Sequence, residues 1–273
     1  MHGLKTSVIT LTALVALMSA VSSYAVGYAT SCKTEGFSCV RVKRGQSWQS
    51  LFPEERERGI VMRLNHRNGE LYPGLKLIVP DDIKDHDLMD YTPMPPRIEA
   101  QGEKVIYVDL GNHIWAAYDA DGYQVRWGPA TGGRKHCPPP NEDSKCNTKE
   151  GSYRIYSLGS SNCVSTKFPE PDGGAPMPYC MFFDGGQALH GSPGGIVDAN
   201  VSHGCVRMFV QDAEWMRYDF AEPAMTSNNY RGTKVVVLTA EKFNPNKTQD
   251  LTQPVEHTDD ADGYDDGEGD SLY

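Results

Sequence analysis

Cys205 stands in Ser202-His203-Gly204-Cys205-Val206-Arg207, fifteen residues after a second histidine in His190-Gly191-Ser192-Pro193. A thiol reacts as its thiolate, so it needs a neighbouring base or positive charge, and two histidines and an arginine lie close to it in sequence. Such a set can attack an acyl carbon, as a Cys/His hydrolase or acyl transferase does. A base within hydrogen-bond reach must take the thiol proton, and a third group must orient that base. The backbone N–H groups of His203, Gly204 and Cys205 are candidates for an oxyanion hole, in a tight turn where Gly204 admits close approach. Arg207 lies two residues beyond Cys205, so on a strand it points to the same side, where it would hold a substrate carboxylate or raise the thiolate content. A papain-like protease fits less well, because there the cysteine precedes its histidine.

The amino terminus says where this chemistry takes place. Lys5 precedes a largely apolar run from Thr6 to Ala20, too short for a comfortable membrane span, and Ser23-Tyr24-Ala25 supplies small residues for cleavage. Residues 1–25 therefore read as a Sec-type signal peptide, the only contact with a membrane that the sequence suggests. In an oxidising compartment six of the seven cysteines become disulfide candidates. Six cysteines allow fifteen pairings, and nearest neighbours give Cys32 with Cys39, Cys137 with Cys146, and Cys163 with Cys180, leaving Cys205 free. No Cys-x-x-Cys occurs, so neither a metal nor another cofactor is expected. His113 and His136 stand apart from the motif and read as structural, as do Trp115 and Trp127 in the core.

The series from His190 to Arg207 resembles the signature of the L,D-transpeptidases of the bacterial cell wall, whose catalytic domain is often called YkuD. Met177-Pro178-Tyr179-Cys180-Met181-Phe182-Phe183 followed by Ala188-Leu189-His190-Gly191 is similar to the family's strand leading into its first histidine. Thr148-Lys149-Glu150-Gly151-Ser152-Tyr153 takes the place of the family's Thr-Pro-x-Gly-x-Phe segment, with Lys149 where proline is usual. The likeness runs over 101–240, about half of the chain. It implies that His190 is the base, that the Gly191 carbonyl holds its ring, and that Ser202 and Tyr179 join Arg207 in binding substrate. No catalytic carboxylate is then required.

The same resemblance implies a periplasmic enzyme that takes the acyl group of a peptidoglycan tetrapeptide stem onto Cys205. The acceptor in the family is the side-chain amine of a second stem, giving a 3-3 crosslink, or a lysine of an outer-membrane protein. The exported layout, with a LysM-like module ahead of the catalytic domain, and the arginine that ends the motif look more like the anchoring branch. Acylation by carbapenem-type inhibitors is also implied. Water as acceptor would make an L,D-carboxypeptidase or an amidase, and a vestigial catalytic domain would leave a non-catalytic peptidoglycan-binding protein.

The elements that must position these residues read as mainly β. Val105 to Leu110, His113 to Tyr118, Gln124 to Gly128, Tyr153 to Leu158, Cys180 to Phe183 and Lys234 to Thr239 are short, rich in aromatic or β-branched residues, and separated by turn residues. Together with the family resemblance they predict a β-sandwich with one or two helices, one of them near Val210 to Phe220. The stretch 132–178, long and rich in Gly and Pro, reads as an insertion that shapes the cleft or closes over it.

Ahead of it, residues 39–81 resemble a LysM domain in the order strand, helix, helix, strand. Val40-Arg41-Val42-Lys43-Arg44-Gly45-Gln46-Ser47, Trp48, Leu51, Leu64-Asn65 and Leu71-Tyr72-Pro73-Gly74-Leu75-Lys76-Leu77-Ile78-Val79-Pro80 carry that likeness. Ser47 is placed to cap the first helix and Pro53 to open the second. The resemblance implies binding of N-acetylglucosamine-containing glycan. Residues 82–100 read as a linker.

Charge is unevenly spread. The formal net charge is -10, yet Asp250 to Tyr273 holds nine acidic residues and no Lys or Arg. Loss of Lys5 with the leader leaves the body up to Gln249 at about -2, so no basic surface for nucleic acid is expected. The tail 250–273 has few apolar residues to offset its ordering entropy and is expected to be disordered.

Overall fold

The computed structural model describes residues 29–137, 146–169 and 172–239. The expected signal peptide and acidic tail lie outside the described residues. The described chain opens with β1 (Phe37–Arg41), α1 (Trp48–Leu51), α2 (Glu55–Leu64) and β2 (Lys76–Pro80). β1 and β2 pair antiparallel with Cys39 opposite Ile78. The Ser47 side chain accepts from the Ser50 N–H and Ser50 reciprocates, which satisfies donors at the start of α1. Pro53 does not open α2; the helix begins at Glu55 after Glu54, with Pro53 still in the connection. A disulfide joins Cys32 to Cys39.

Two sheets follow. β3 (Val105–Asp109), β4 (Ile114–Tyr118), β5 (Gln124–Pro129), β6 (Gly151–Arg154) and β11 (Lys234–Leu238) form a five-stranded sheet in the order β5-β4-β3-β11-β6. β7 (Ser157–Leu158), β8 (Met181–Asp184), β9 (Gln187–Gly191) and β10 (Val206–Met208) form a four-stranded sheet in the order β10-β9-β8-β7. The run expected as one strand from Tyr153 to Leu158 breaks at Ile155 and Tyr156 and so serves both sheets. After β10 come α3 (Val210–Trp215) and a π-helical turn, Met216–Phe220, in place of one continuous helix.

The sequence of β3 and β4 explains the layering. All five residues of each strand are buried, without the polar alternation of a half-exposed sheet. Ile106, Val108, Trp115 and Ala117 face one core, shared with Leu189, Val206 and Met208 of the small sheet and with Ala213 and Met216. Val105, Tyr107, Ile114, Ala116 and Tyr118 face a second core built with Trp48, Ile60, Val61 and Leu77 of the amino-terminal unit. That unit is therefore a third layer on the large sheet.

Residues 82–100 are packed as well. Ile83, Tyr91, Met94 and Ile98 belong to the outer core, and the Trp127 indole N–H donates to the Leu88 carbonyl at 2.9 Å. Trp115 and Trp127 are both fully buried. The stretch 132–178 is not one insertion. β6 and β7 lie inside it and divide it into two excursions, closed by disulfides Cys137–Cys146 and Cys163–Cys180. Among the described residues no helix is long and apolar enough to cross a membrane.

Candidate active site

β9 and β10 run parallel with Arg207 opposite His190 and Val206 opposite Leu189. Leu189, Val206 and Met208 point into the inter-sheet core, so strand alternation turns His190 and Arg207 to the opposite face. Cys205, two residues before Arg207, joins that face and packs against Ala188, Met177 and Cys180. The parallel register thus brings the two distant halves of the motif onto one surface. Cys205 is the free cysteine and is partly buried, the other six forming the three expected pairs.

His190 is 4% exposed, and its Nδ1 lies 2.7 Å from the Gly191 carbonyl oxygen. A ring nitrogen facing a carbonyl carries the proton, which leaves Nε2 with the lone pair. Burial pushes the His190 pKa down to about 4; the charge of Arg207 adds to this and the Gly191 contact opposes it. Burial pushes the Cys205 thiol up, partly offset by the Ala188 backbone and by Arg207. The resting pair is therefore a neutral thiol and a neutral imidazole. Sγ donates weakly to the Gly186 carbonyl at 3.8 Å, and no hydrogen bond links it to His190 in this conformation.

The turn ahead of Cys205 is braced on several sides. Gly204 has φ +119, a conformation that side chains rarely adopt. Its carbonyl accepts from the Thr148 hydroxyl at 2.9 Å, and its N–H donates to Ser202 Oγ at 3.1 Å. Of the three backbone donors expected to form an oxyanion hole, that of Gly204 is thus already engaged. The Ser202 hydroxyl also donates to the Cys205 carbonyl, and its residue is 1% exposed. Ser202 thus braces the turn from within.

Tyr179 lies in the turn before β8 with φ +60, packs in part against the inter-sheet core, and donates its hydroxyl to Glu214 of α3 at 2.8 Å. His203 stacks on Phe168 with ring centroids 4.4 Å apart, which seats the excursion closed by Cys163–Cys180 beside the nucleophile turn.

Arg207 is tied through its backbone to Thr131, and among the described residues the charges its side chain feels are those of Cys205 and Arg134. Arg134 was not singled out in the sequence. Its guanidinium donates to the Val201 carbonyl at 3.1 Å, and its charge acts on that of Arg207. Thr148 was likewise passed over, although it stands at the head of the segment that resembled the family. Arg134 has no periodic or spaced partner in sequence that would mark it.

A free thiol, an imidazole held by a carbonyl and an adjacent guanidinium, all on one face of a small sheet, form the kind of centre that can pass an acyl group through a thioester. The family description "L,D-transpeptidase catalytic domain" (YkuD) matches residues 103–237. Residues 103–237, just under half of the chain, are thus similar to an L,D-transpeptidase catalytic domain. Among solved structures it is similar to an L,D-transpeptidase from Xylanimonas cellulosilytica at 25% identity and TM-score 0.45, covering 61% of this chain and 73% of that one. An L,D-transpeptidase from Mycobacterium smegmatis is similar at 21% identity and TM-score 0.38, over 50% of this chain and 58% of the other. L,D-transpeptidase 3 of Mycobacterium tuberculosis, solved with a faropenem-derived adduct, is similar at 20% identity and TM-score 0.37, over 63% and 77%. A search among curated proteins gave no match.

Proposed function

We propose that this chain is an exported L,D-transpeptidase of the bacterial periplasm that works on peptidoglycan tetrapeptide stems through a Cys205 acyl-enzyme. The observation that carries this reading is the shared sheet face of Cys205 and His190, with Nδ1 of His190 bound to the Gly191 carbonyl. Sγ turns from Gly186 toward His190 as donor stem enters, and Nε2 takes its proton. The sulfur bonds to the carbonyl carbon of the third stem residue, the C–N bond to the terminal D-alanine breaks, and His190 passes the proton to the leaving amine.

The Cys205 N–H is the donor we assign to the developing oxyanion, since that of Gly204 is used. Loss of one such donor costs about 3 kcal/mol of transition-state stabilisation. Arg207 and Arg134 bind stem carboxylates, which guanidinium groups suit as planar, permanently charged donors. An amine acceptor then attacks the thioester, giving a 3-3 crosslink when it belongs to a second stem and covalent attachment when it is a lysine of an outer-membrane protein. A carbapenem acylates the same sulfur. The amino-terminal unit holds the glycan strand near the site.

Product analysis tests this reading. The protein is incubated with disaccharide-tetrapeptide and a D-amino acid. Appearance of exchanged tetrapeptide or crosslinked dimer, absent with Cys205→Ala, supports it. Release of tripeptide alone would replace transpeptidation by hydrolysis.

A further inference from the structure

Away from the thiol, three segments distant in sequence bring metal-ligating side chains together. His66 lies in the turn that follows α2, His113 in the turn between β3 and β4, and Asp198 in the loop between His190 and Cys205. The Nδ1 atoms of His66 and His113 lie 2.9 and 2.7 Å from the same oxygen, Asp198 Oδ1. The ligand atoms of all three residues lie within 4.8 Å of one another. His66 is buried, His113 partly buried and Asp198 exposed.

We propose that His66, His113 and Asp198 form a binding site for a divalent transition metal of the zinc class, with a fourth position open to water. Two imidazole nitrogens and one carboxylate oxygen are the donor set that such ions favour over magnesium or calcium, which take oxygen. Ideal ligand distances of roughly 2.0–2.2 Å around a tetrahedral ion separate donors by about 3.3 Å, slightly more than the two nitrogen-to-oxygen contacts with Asp198. Asp198, with 65% of its side chain exposed, can supply that small movement.

One further observation supports the assignment. A cavity of about 150 Å³, lined by Thr30, Asn65, His66, Ile78 and Asp198 among others, opens beside the cluster and gives an ion and its water a way in.

The ion would tie the amino-terminal layer to the loop that leads into the nucleophile turn. That loop already rests on the unit, since the Ile196 N–H donates to Asn68 Oδ1 at 3.1 Å. Metal occupancy would add a bond between the two layers that does not pass through the hydrophobic core.

The test uses the full chain without a polyhistidine tag, in a Cys205→Ser background so that the thiol cannot contribute. Zinc is titrated calorimetrically, and cobalt is added separately to read its visible spectrum. The expected result is one equivalent of zinc bound, unchanged by excess magnesium, with a tetrahedral cobalt spectrum lacking thiolate charge transfer. His113→Ala and Asp198→Asn, both at accessible positions, should each weaken binding by more than about 100-fold, the upper end of the loss for outer-shell partners. Absence of zinc uptake at 100-fold excess over protein, or uptake unaffected by both substitutions, would overturn the proposal.

Discussion

Arg63 of α2 is ion-paired with Asp212 of α3, and both side chains are buried. Arg126 of β5 binds the same carboxylate oxygen at 2.9 Å. The amino-terminal unit is thus fastened to the helix that packs beneath β9, in addition to sharing a core with the large sheet. Loss of one partner from a buried pair typically costs about 3–5 kcal/mol. Arg63→Met should fall near the lower end, about 3 kcal/mol, because Arg126 still neutralises Asp212. Urea unfolding measures this. A change below about 1 kcal/mol would mean that the contact contributes little to holding the layers together.

Removal of the amino-terminal unit should be more damaging. Without residues 29–80, the face of the large sheet carrying Tyr107, Ile114 and Tyr118 loses its cover. Burial of each such side chain contributes about 1.5–3 kcal/mol. A chain of residues 81–240 is expected to aggregate or to lose cooperative unfolding, read by light scattering and circular dichroism. A soluble monomer with a sharp transition would show that the unit is an independent appendage.

Much of this was legible in the sequence. The Cys205 and His190 series, the three nearest-neighbour disulfides and the strands of the large sheet all carry local signals, either spacing or β-branched composition. The third layer was also written there, in the unbroken apolar runs Val105-Ile106-Tyr107-Val108 and Ile114-Trp115-Ala116-Ala117, which only a sheet covered on both faces can bury. What could not be read is side-chain direction and long-range contact. The Ser202 hydroxyl is spent within its own turn, and the Tyr179 hydroxyl is bound to Glu214, 35 residues away. Arg134, Arg207 and the His66, His113 and Asp198 cluster meet only through tertiary folding, with His66 and Asp198 separated by 132 residues.

Stability should depend on pH through His190. Its pKa is near 4 in the folded chain against an ordinary value of 6.5. Below the ordinary value the unfolded chain takes up a proton that the folded chain refuses. The contribution is therefore complete above pH 6.5 and is lost as pH falls toward 4, by about 3 kcal/mol in all. His190→Gln should flatten the stability profile across that window. An unchanged slope would show that this imidazole is not held neutral by burial.

The neutral resting pair makes a second prediction about reactivity. Because burial raises the Cys205 pKa above its ordinary 9.0, alkylation by iodoacetamide should be slow at neutral pH and climb through and beyond pH 9. A rate plateau near pH 7 would reveal a preformed thiolate and imidazolium instead. Arg207→Gln should slow alkylation further, since the guanidinium favours the thiolate.

The central claim is that Cys205 takes the acyl group of a peptidoglycan stem, and intact-mass spectrometry with a disaccharide-tetrapeptide donor tests it most directly. The protein should gain the mass of the donor less D-alanine, on Cys205, and lose it when a D-amino acid acceptor is added, with no adduct on Cys205→Ala. No adduct on protein whose disulfides are intact and whose Cys205 is reduced, at donor concentrations that saturate, would contradict the account.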